Sequence, residues 1–195
     1  MKRKIIGIFI CMLLIMTILP MTVLAGDPEH PEIKDELNDT DLSYLDIESA
    51  WFYEKADQPE YLYTTLNVKS LNLKASAVLS IRWNYDGKNY VSGFETYRFK
   101  EDAFRSGDPK RASYWQWNNI PECEGTTDQT TNVITWKILK SNIGNPEKDD
   151  VLTNTRAAAV PNGYPSFMYF FTGRDFRDFA PNKQYEYGLN YVVQY

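Results

Sequence analysis

The chain has 195 residues, with 26 acidic and 21 basic side chains and a formal net charge of −5. This length suits one domain with or without a tail, and it excludes a large multidomain enzyme or a bundle of membrane helices. Hydrophobic residues make up 43% and charged residues 24% of the chain, which is typical of a globular protein rather than a disordered one.

Residues 1–25 have the pattern of a Sec-type signal peptide. Three basic residues precede an apolar run over 5–19, and a proline ends that run. Val23 and Ala25 then supply the small side chains that signal peptidase accepts, so we predict cleavage between Ala25 and Gly26. The alternative is an uncleaved membrane anchor, because the apolar segment is long enough to span a bilayer.

The remainder of the chain is acidic and holds one cysteine. The three basic residues of the signal segment have no acidic counterpart there, so removing the segment lowers the formal net charge from −5 to −8. An acidic surface repels phosphate, so we expect no nucleic-acid partner, and a membrane contact only through residues 1–25 if they are not cleaved. Cys123 has no partner for an internal disulfide, and we expect a buried small hydrophobe or a thiol that pairs with another chain.

An acidic lead-in with two prolines is predicted over 26–44, before a single domain over 45–195. Aromatic and aliphatic residues over 45–53 and 61–69 favour the first strands of that domain. Alternation of apolar and polar residues is cleanest over 77–85, which predicts a half-buried strand.

A hairpin is predicted directly after that strand. Asp86-Gly87 is a preferred pair for a two-residue turn, and residues 88–100 form the returning strand. Residues 140–143 are the only predicted helical turn, which ends at Gly144. Eight or nine strands without crossover helices predict an all-β antiparallel sandwich of the jelly-roll or immunoglobulin-like type. The remaining predicted strands cover 111–117, 132–139, 151–160, 166–171 and 188–195.

The sequence contains few recognisable sets of catalytic residues, so we expect the protein not to be an enzyme. His30 is the only histidine and lies in the lead-in, where it cannot be held against a nucleophile. A zinc site needs three or four histidine or cysteine ligands, and only His30 and Cys123 follow the signal segment. A pair of carboxylates could hydrolyse a glycoside, but nothing in the sequence selects one pair among the acidic residues.

A structural calcium ion is the most plausible cofactor, because calcium prefers six to eight hard oxygen ligands. Two groups of aspartates are suited to it, one around the lead-in and one before the last strand, and the first and last strands of a sandwich are often neighbours. The alternatives are solvated surface carboxylates, or ion pairs of the second group with Arg174 and Arg177. The candidate metal ligands are Asp35, Asp39, Asp41, Asp46, Asp175 and Asp178.

Paired aromatic residues favour a second hypothesis, a platform on which sugar rings stack. Trp115 and Trp117 are two residues apart on a predicted strand and therefore share a face, and Trp51 and Tyr53 repeat that spacing. The alternative is a place in the core, since aromatic residues commonly fill sandwich cores. Trp83 and Trp136 alternate with aliphatic residues, and we assign both to the core.

Several segments together resemble a known type of module. They are LDI at 45–47, YLYTTLNV at 61–68, ITWKILKSNIGNPEKDDVLTNTRA at 134–157, and GRDFRDFAPN at 173–182 before the closing YVVQY. They resemble secreted β-sandwich modules of archaea and bacteria that are similar in fold to DOMON domains and family 9 carbohydrate-binding modules. The resemblance implies a β-sandwich and a binding role. Some DOMON domains hold haem between a methionine and a histidine; with only Met168 and His30 available here, we expect no haem.

These observations together predict a secreted or cell-surface module without catalytic activity, which works by binding or assembly and is stabilised by calcium. The expected partner is a polysaccharide or a surface protein. The first alternative is a carbohydrate-binding module that uses the tryptophan platform, and the second is an extracellular polysaccharide hydrolase.

Overall fold

Two antiparallel sheets form a β-sandwich in a computed structural model of the chain. The structure describes residues 26–96, 101–108, 120–161, 177–182 and 186–195. Within them, the first sheet has the strand order β1-β2-β3-β8-β7 and the second β10-β9-β4-β5-β6, with β11 paired to β9. The strands are Ile33–Lys34 (β1), Ile47–Tyr53 (β2), Tyr61–Val68 (β3), Ala77–Tyr85 (β4), Lys88–Thr96 (β5), Ala103–Gly107 (β6), Glu124–Asp128 (β7), Val133–Leu139 (β8), Val151–Pro161 (β9), Asp178–Ala180 (β10) and Tyr191–Val192 (β11).

The predicted hairpin is confirmed. β4 and β5 pair from Tyr85 opposite Lys88 to Ala77 opposite Thr96, and the turn between them is Asp86-Gly87. Asp86 and Gly87 have φ of 49° and 70°, as a two-residue turn with the twist of the flanking strands requires. The turn residues therefore fix the register of the central strands in the second sheet.

The core lies between the sheets and is rich in aromatic rings. Trp83 and Trp136 are 1% and 0% exposed, which confirms that both are core residues. Phe52 of the first sheet meets Trp83 of the second edge to face, with ring centres 5.6 Å apart. A hydrogen bond between the buried hydroxyls of Thr64 and Ser92, 2.8 Å long, also joins the two sheets.

The lead-in contributes to the sandwich, in contrast to the prediction of a separate segment. Ile33 pairs with Ala50 at the edge of the first sheet and is fully buried in the core. Two paired residues are too few to show alternation, and the strand lies between acidic residues, with two prolines before it. The edge of the first sheet therefore begins with residues that precede position 45.

The chain end is held by a buried ionic cluster. Tyr191 pairs with Leu152 of β9, and its hydroxyl donates to Glu54 Oε2 over 3.0 Å. Glu54 also contacts the Lys140 ammonium, at the start of a single 3-10 turn over Lys140–Ile143. That turn matches the predicted helical segment, and Gly144 follows it with a φ of 87°.

Some predicted elements fall beyond what the structure describes, and three strands besides β1 were not predicted. The signal segment and the predicted strands over 111–117 and 166–171 lie outside the described residues. The missed strands are β6, β7 and β10. β7 contains glycine and threonines without apolar alternation, and β10 has only three residues. In the described residues, no helix is long and apolar enough to cross a membrane.

Candidate metal centre

Three of the six predicted metal ligands meet at the edge where the two sheets approach each other. Asp35 follows β1, Asp39 lies in the turn after it, and Asp178 is the first residue of β10. One carboxylate oxygen from each lies within 4.8 Å of the others. The first and the last part of the sandwich are thus neighbours, and the fold brings together carboxylates that are far apart in sequence.

Asp178 is the buried member of this group, which we call the aspartate trio. Its side chain is 3% exposed, and its Oδ2 accepts a hydrogen bond of 2.6 Å from the backbone N–H of Ile47 on β2. Burial, reinforced by the charges of Asp35 and Asp39, raises the pKa of Asp178 to about 7 despite that hydrogen bond. A positive charge beside this carboxylate would favour its charged form and oppose the shift.

The two carboxylate oxygens of Asp35 differ in their hydrogen bonding. Its Oδ1 accepts a bond of 2.8 Å from Asn182 N, while the Asn182 side chain accepts a bond of 3.1 Å from Glu36 N. Its Oδ2 is buried and has no hydrogen-bond partner among the described residues. Burial is the main cause that raises the pKa of Asp35 to about 6, and the charge of Asp39 adds to it.

Asp39 is exposed and is held in place by the turn beneath it. Asn38 has a φ of 74°, and its N–H donates to both oxygens of the Asp46 carboxylate over 3.0 and 3.1 Å. Asp46 is fully buried and pairs with Lys69 over 3.2 Å. Burial and the charge of Asp46 raise the pKa of Asp39. Among the predicted ligands, Asp46 therefore positions the turn and is already neutralised by its own lysine.

Of the other two predicted metal ligands, the structure places only Asp41. Asp41 is exposed and lies outside the group of carboxylates that meet. Asp175 lies outside the described residues. Asn182 was not predicted as part of the site, although its backbone N–H orients Asp35 and its side chain accepts a bond from Glu36 N.

Buried acidic residues divide into those with and those without a basic partner. In the described part of the chain, five acidic side chains are buried, and three of them lie within 4.0 Å of a lysine or arginine nitrogen. Glu32 and Asp178 have no such partner. A buried carboxylate without a counter-charge is costly, so these two positions need protonation or a cation supplied from elsewhere. The three neutralised residues are Asp46 with Lys69, Glu54 with Lys140, and Glu95 with Arg105.

The trio has the chemistry of a site for a hard cation. It offers only oxygen atoms, which suits calcium and does not suit the nitrogen and sulfur preferences of zinc. Exposed Asp39 leaves one side open to water, and water can complete a coordination shell of six to eight oxygens. An ion here would join β1, the following turn and β10.

Two of the four aromatic residues predicted to bind sugars lie in the described part of the chain, and both are engaged in packing. Trp51 and Tyr53 share the outer face of the first sheet, but Trp51 is only 7% exposed. Tyr53 is half-buried and stacks on Tyr63, with ring centres 4.8 Å apart and Lys55 over the Tyr63 ring. Little ring surface is therefore left on these residues for a sugar. Trp115 and Trp117 lie outside the described residues.

Comparisons with protein-family models, with curated proteins and with solved structures gave no match. The resemblance to DOMON domains and family 9 carbohydrate-binding modules therefore stays a prediction. The function has to be argued from the residues and the geometry described above.

Proposed function

We propose that this chain is a secreted β-sandwich module that binds or assembles at the cell surface without catalysing a reaction, and that a calcium ion in the aspartate trio stabilises it. The observation that carries the proposal is Asp178, a carboxylate that is 3% exposed, has no basic partner in the described chain, and lies beside Asp35 and Asp39.

The trio differs from a patch of surface acids in two respects. Its carboxylates come from two separated parts of the chain, and the backbone N–H groups of Ile47 and Asn182 fix the orientation of Asp178 and Asp35. The free Oδ2 of Asp35 is buried, so solvent does not satisfy it. A divalent cation would satisfy that oxygen and neutralise the mutual repulsion of the three charges.

Calcium is favoured over magnesium by the arrangement of these oxygens. Magnesium demands a small and nearly ideal octahedral shell, whereas calcium accepts longer and less regular bonds. The trio's oxygen atoms lie within 4.8 Å of one another, and the flexible calcium shell accommodates such a loose arrangement. Extracellular modules bind calcium with dissociation constants of about 0.1–1 mM, which fits a site with one open side.

Secretion is supported by the sequence of residues 1–25 and by the modest calcium affinity expected of the aspartate trio. Residues 1–25 combine a basic start, an apolar run and small side chains at 23 and 25, which is the pattern of a cleaved signal peptide. Calcium is abundant outside cells, so a site of modest affinity is occupied there. An ion that joins both sheet edges would make the module rigid only after export.

The test is the melting temperature of the secreted, processed chain in about 5 mM calcium chloride and in chelator. We expect a higher melting temperature with calcium, and the difference should disappear in Asp178→Asn and Asp35→Asn. Asp41→Asn is the matched control, because Asp41 is an exposed aspartate near the same turn but outside the trio. An equal melting temperature with calcium and chelator, or a calcium effect that survives Asp178→Asn, contradicts the proposal.

A further inference from the structure

Gly26 is buried directly against the carboxylate of Glu32. A Cβ atom at position 26 would lie 2.2 Å from Glu32 Oε2 and 2.5 Å from Oε1, so a larger residue here would displace the carboxylate. Standard covalent geometry then places the nitrogen of Gly26 within about 5 Å of Glu32 Oε2. Glycine at position 26 therefore lets the backbone approach the Glu32 carboxylate closely.

A tight turn brings Gly26 back to Glu32. Asp27 Oδ1 accepts hydrogen bonds from Glu29 N over 2.8 Å and from His30 N over 2.7 Å. Pro28 follows Asp27 and has the φ that the first central position of such a turn requires. The position of Gly26 is thus encoded by the residues that follow it.

Glu32 is held firmly and lacks a cation. Its Oε2 accepts a bond of 2.9 Å from Phe52 N, and its carbonyl accepts a bond of 2.7 Å from Leu189 N. The side chain is buried, and no lysine, arginine or histidine nitrogen of the described residues lies within 4.0 Å of its carboxylate. Burial and the nearby charge of Asp27 raise the pKa of Glu32 to about 7, against the bond from Phe52 N.

We propose that the missing cation is the α-ammonium group of Gly26, which exists only after the signal peptide has been removed. Hydrolysis adds water across the Ala25–Gly26 peptide bond, which leaves a carboxylate on Ala25 and an amine on Gly26 that takes up a proton. The new ammonium pairs with the Glu32 carboxylate in the buried recess that Gly26 occupies. This inference rests on the processing step of the proposed function, and it assigns that step a structural role.

The ion pair couples processing to stability. In the precursor, Glu32 is a buried carboxylate beside a neutral peptide group, so folding carries the cost of that uncompensated charge. In the processed chain the ammonium removes that cost. The fold is therefore more stable after cleavage at this bond than before it, or after cleavage at a neighbouring bond.

The first test uses the full chain, secreted with its own signal segment from a bacterial host. Intact mass and N-terminal sequencing identify the new N-terminus, and acetic anhydride at neutral pH then probes the Gly26 amine by peptide mapping, with exposed Lys34 as internal reference. A paired carboxylate raises the pKa of an amine and lowers its reactive fraction, so we expect acetylation of Gly26 to be at least about tenfold slower than in Glu32→Gln. Glu29→Gln, which alters an exposed acid of the same turn, should leave the rate unchanged.

A second variant keeps Glu32 intact. One glycine inserted between Ala25 and Gly26 moves the new ammonium one residue away from the recess, and we expect a melting temperature lower by about 3 °C or more. Equal melting temperatures, or equal acetylation rates in the native chain and Glu32→Gln, overturn the inference. Cleavage at another bond overturns the inference but leaves the proposal of secretion intact. A secreted chain that retains residues 1–25 contradicts the processing step itself.

Discussion

Replacing Asp178 with asparagine separates the cost of its charge from its role as a ligand. Asparagine has almost the same shape, and its side-chain oxygen can still accept the hydrogen bond of 2.6 Å from Ile47 N. The change therefore removes a buried negative charge and leaves the packing at the start of β10 in place. Without calcium we expect the variant to be more stable than the native chain, and with calcium we expect it to have lost the ion's contribution.

The magnitude follows from the shifted pKa. Burial raises the pKa of Asp178 from 3.8 to about 7, and each unit corresponds to roughly 1.4 kcal/mol, so the shift corresponds to roughly 4 kcal/mol. Because the folded-state pKa is the higher one, the favourable contribution is complete below about pH 4 and is lost as pH rises to about 7. Asp35 and Asp39 share this repulsion, so for one substitution we expect a gain of about 1–2 kcal/mol, or about 2–8 °C in melting temperature.

The assay is thermal unfolding followed by circular dichroism in chelator at about pH 8 and about pH 4. Asp178→Asn should melt above the native chain at the higher pH and close to it at the lower pH, where Asp178 is mostly protonated. Asp41→Asn should match the native chain at both. A variant that melts below the native chain at the higher pH would show that the buried charge carries no cost, and would refute the reasoning.

Three further predictions concern other parts of the molecule. Lys140→Met leaves the Glu54 carboxylate buried without its cation, so the free energy of unfolding should fall by about 3 kcal/mol, and adding Glu54→Gln should restore most of it in denaturant titrations. Burial raises the pKa of the Cys123 thiol to about 12, so iodoacetamide near pH 8 should label it only after unfolding, and rapid native labelling would contradict this. If Trp115 and Trp117 form a sugar platform, alanine at both should abolish retention on polysaccharide with little change in melting temperature, whereas a large loss of stability would place them in a core.

Sequence patterns predict the centre of this fold well because strong local signals coincide there. The alternation over β4 and the Asp86-Gly87 turn determine the hairpin, and the alternation around Trp136 determines β8. At the edges of the sheets the strands are too short to show a clear sequence pattern. β1 has two residues, and whether a carboxylate beside it is buried depends on strands that pair far away in the sequence.

The candidate site was predicted only in part for the same reason. The sequence indicates that aspartates near the first and last strands can converge, and the structure brings Asp35, Asp39 and Asp178 together. It does not indicate that Asp46 is neutralised by Lys69, because that pair forms only when β2 and β3 align. Nor does it distinguish Glu32 from the exposed acids around it, since the hydrogen bonds that hold Glu32 come from Phe52 and Leu189, which are distant in sequence.

The most direct test of the account is a crystal structure of the secreted, processed chain grown with calcium, with anomalous diffraction used to locate the ion. The account predicts one calcium ion between Asp35, Asp39 and Asp178, at about 2.3–2.6 Å from an oxygen of each carboxylate. Carboxyl groups that hydrogen-bond directly to one another at this edge, with no ion between them, would contradict it.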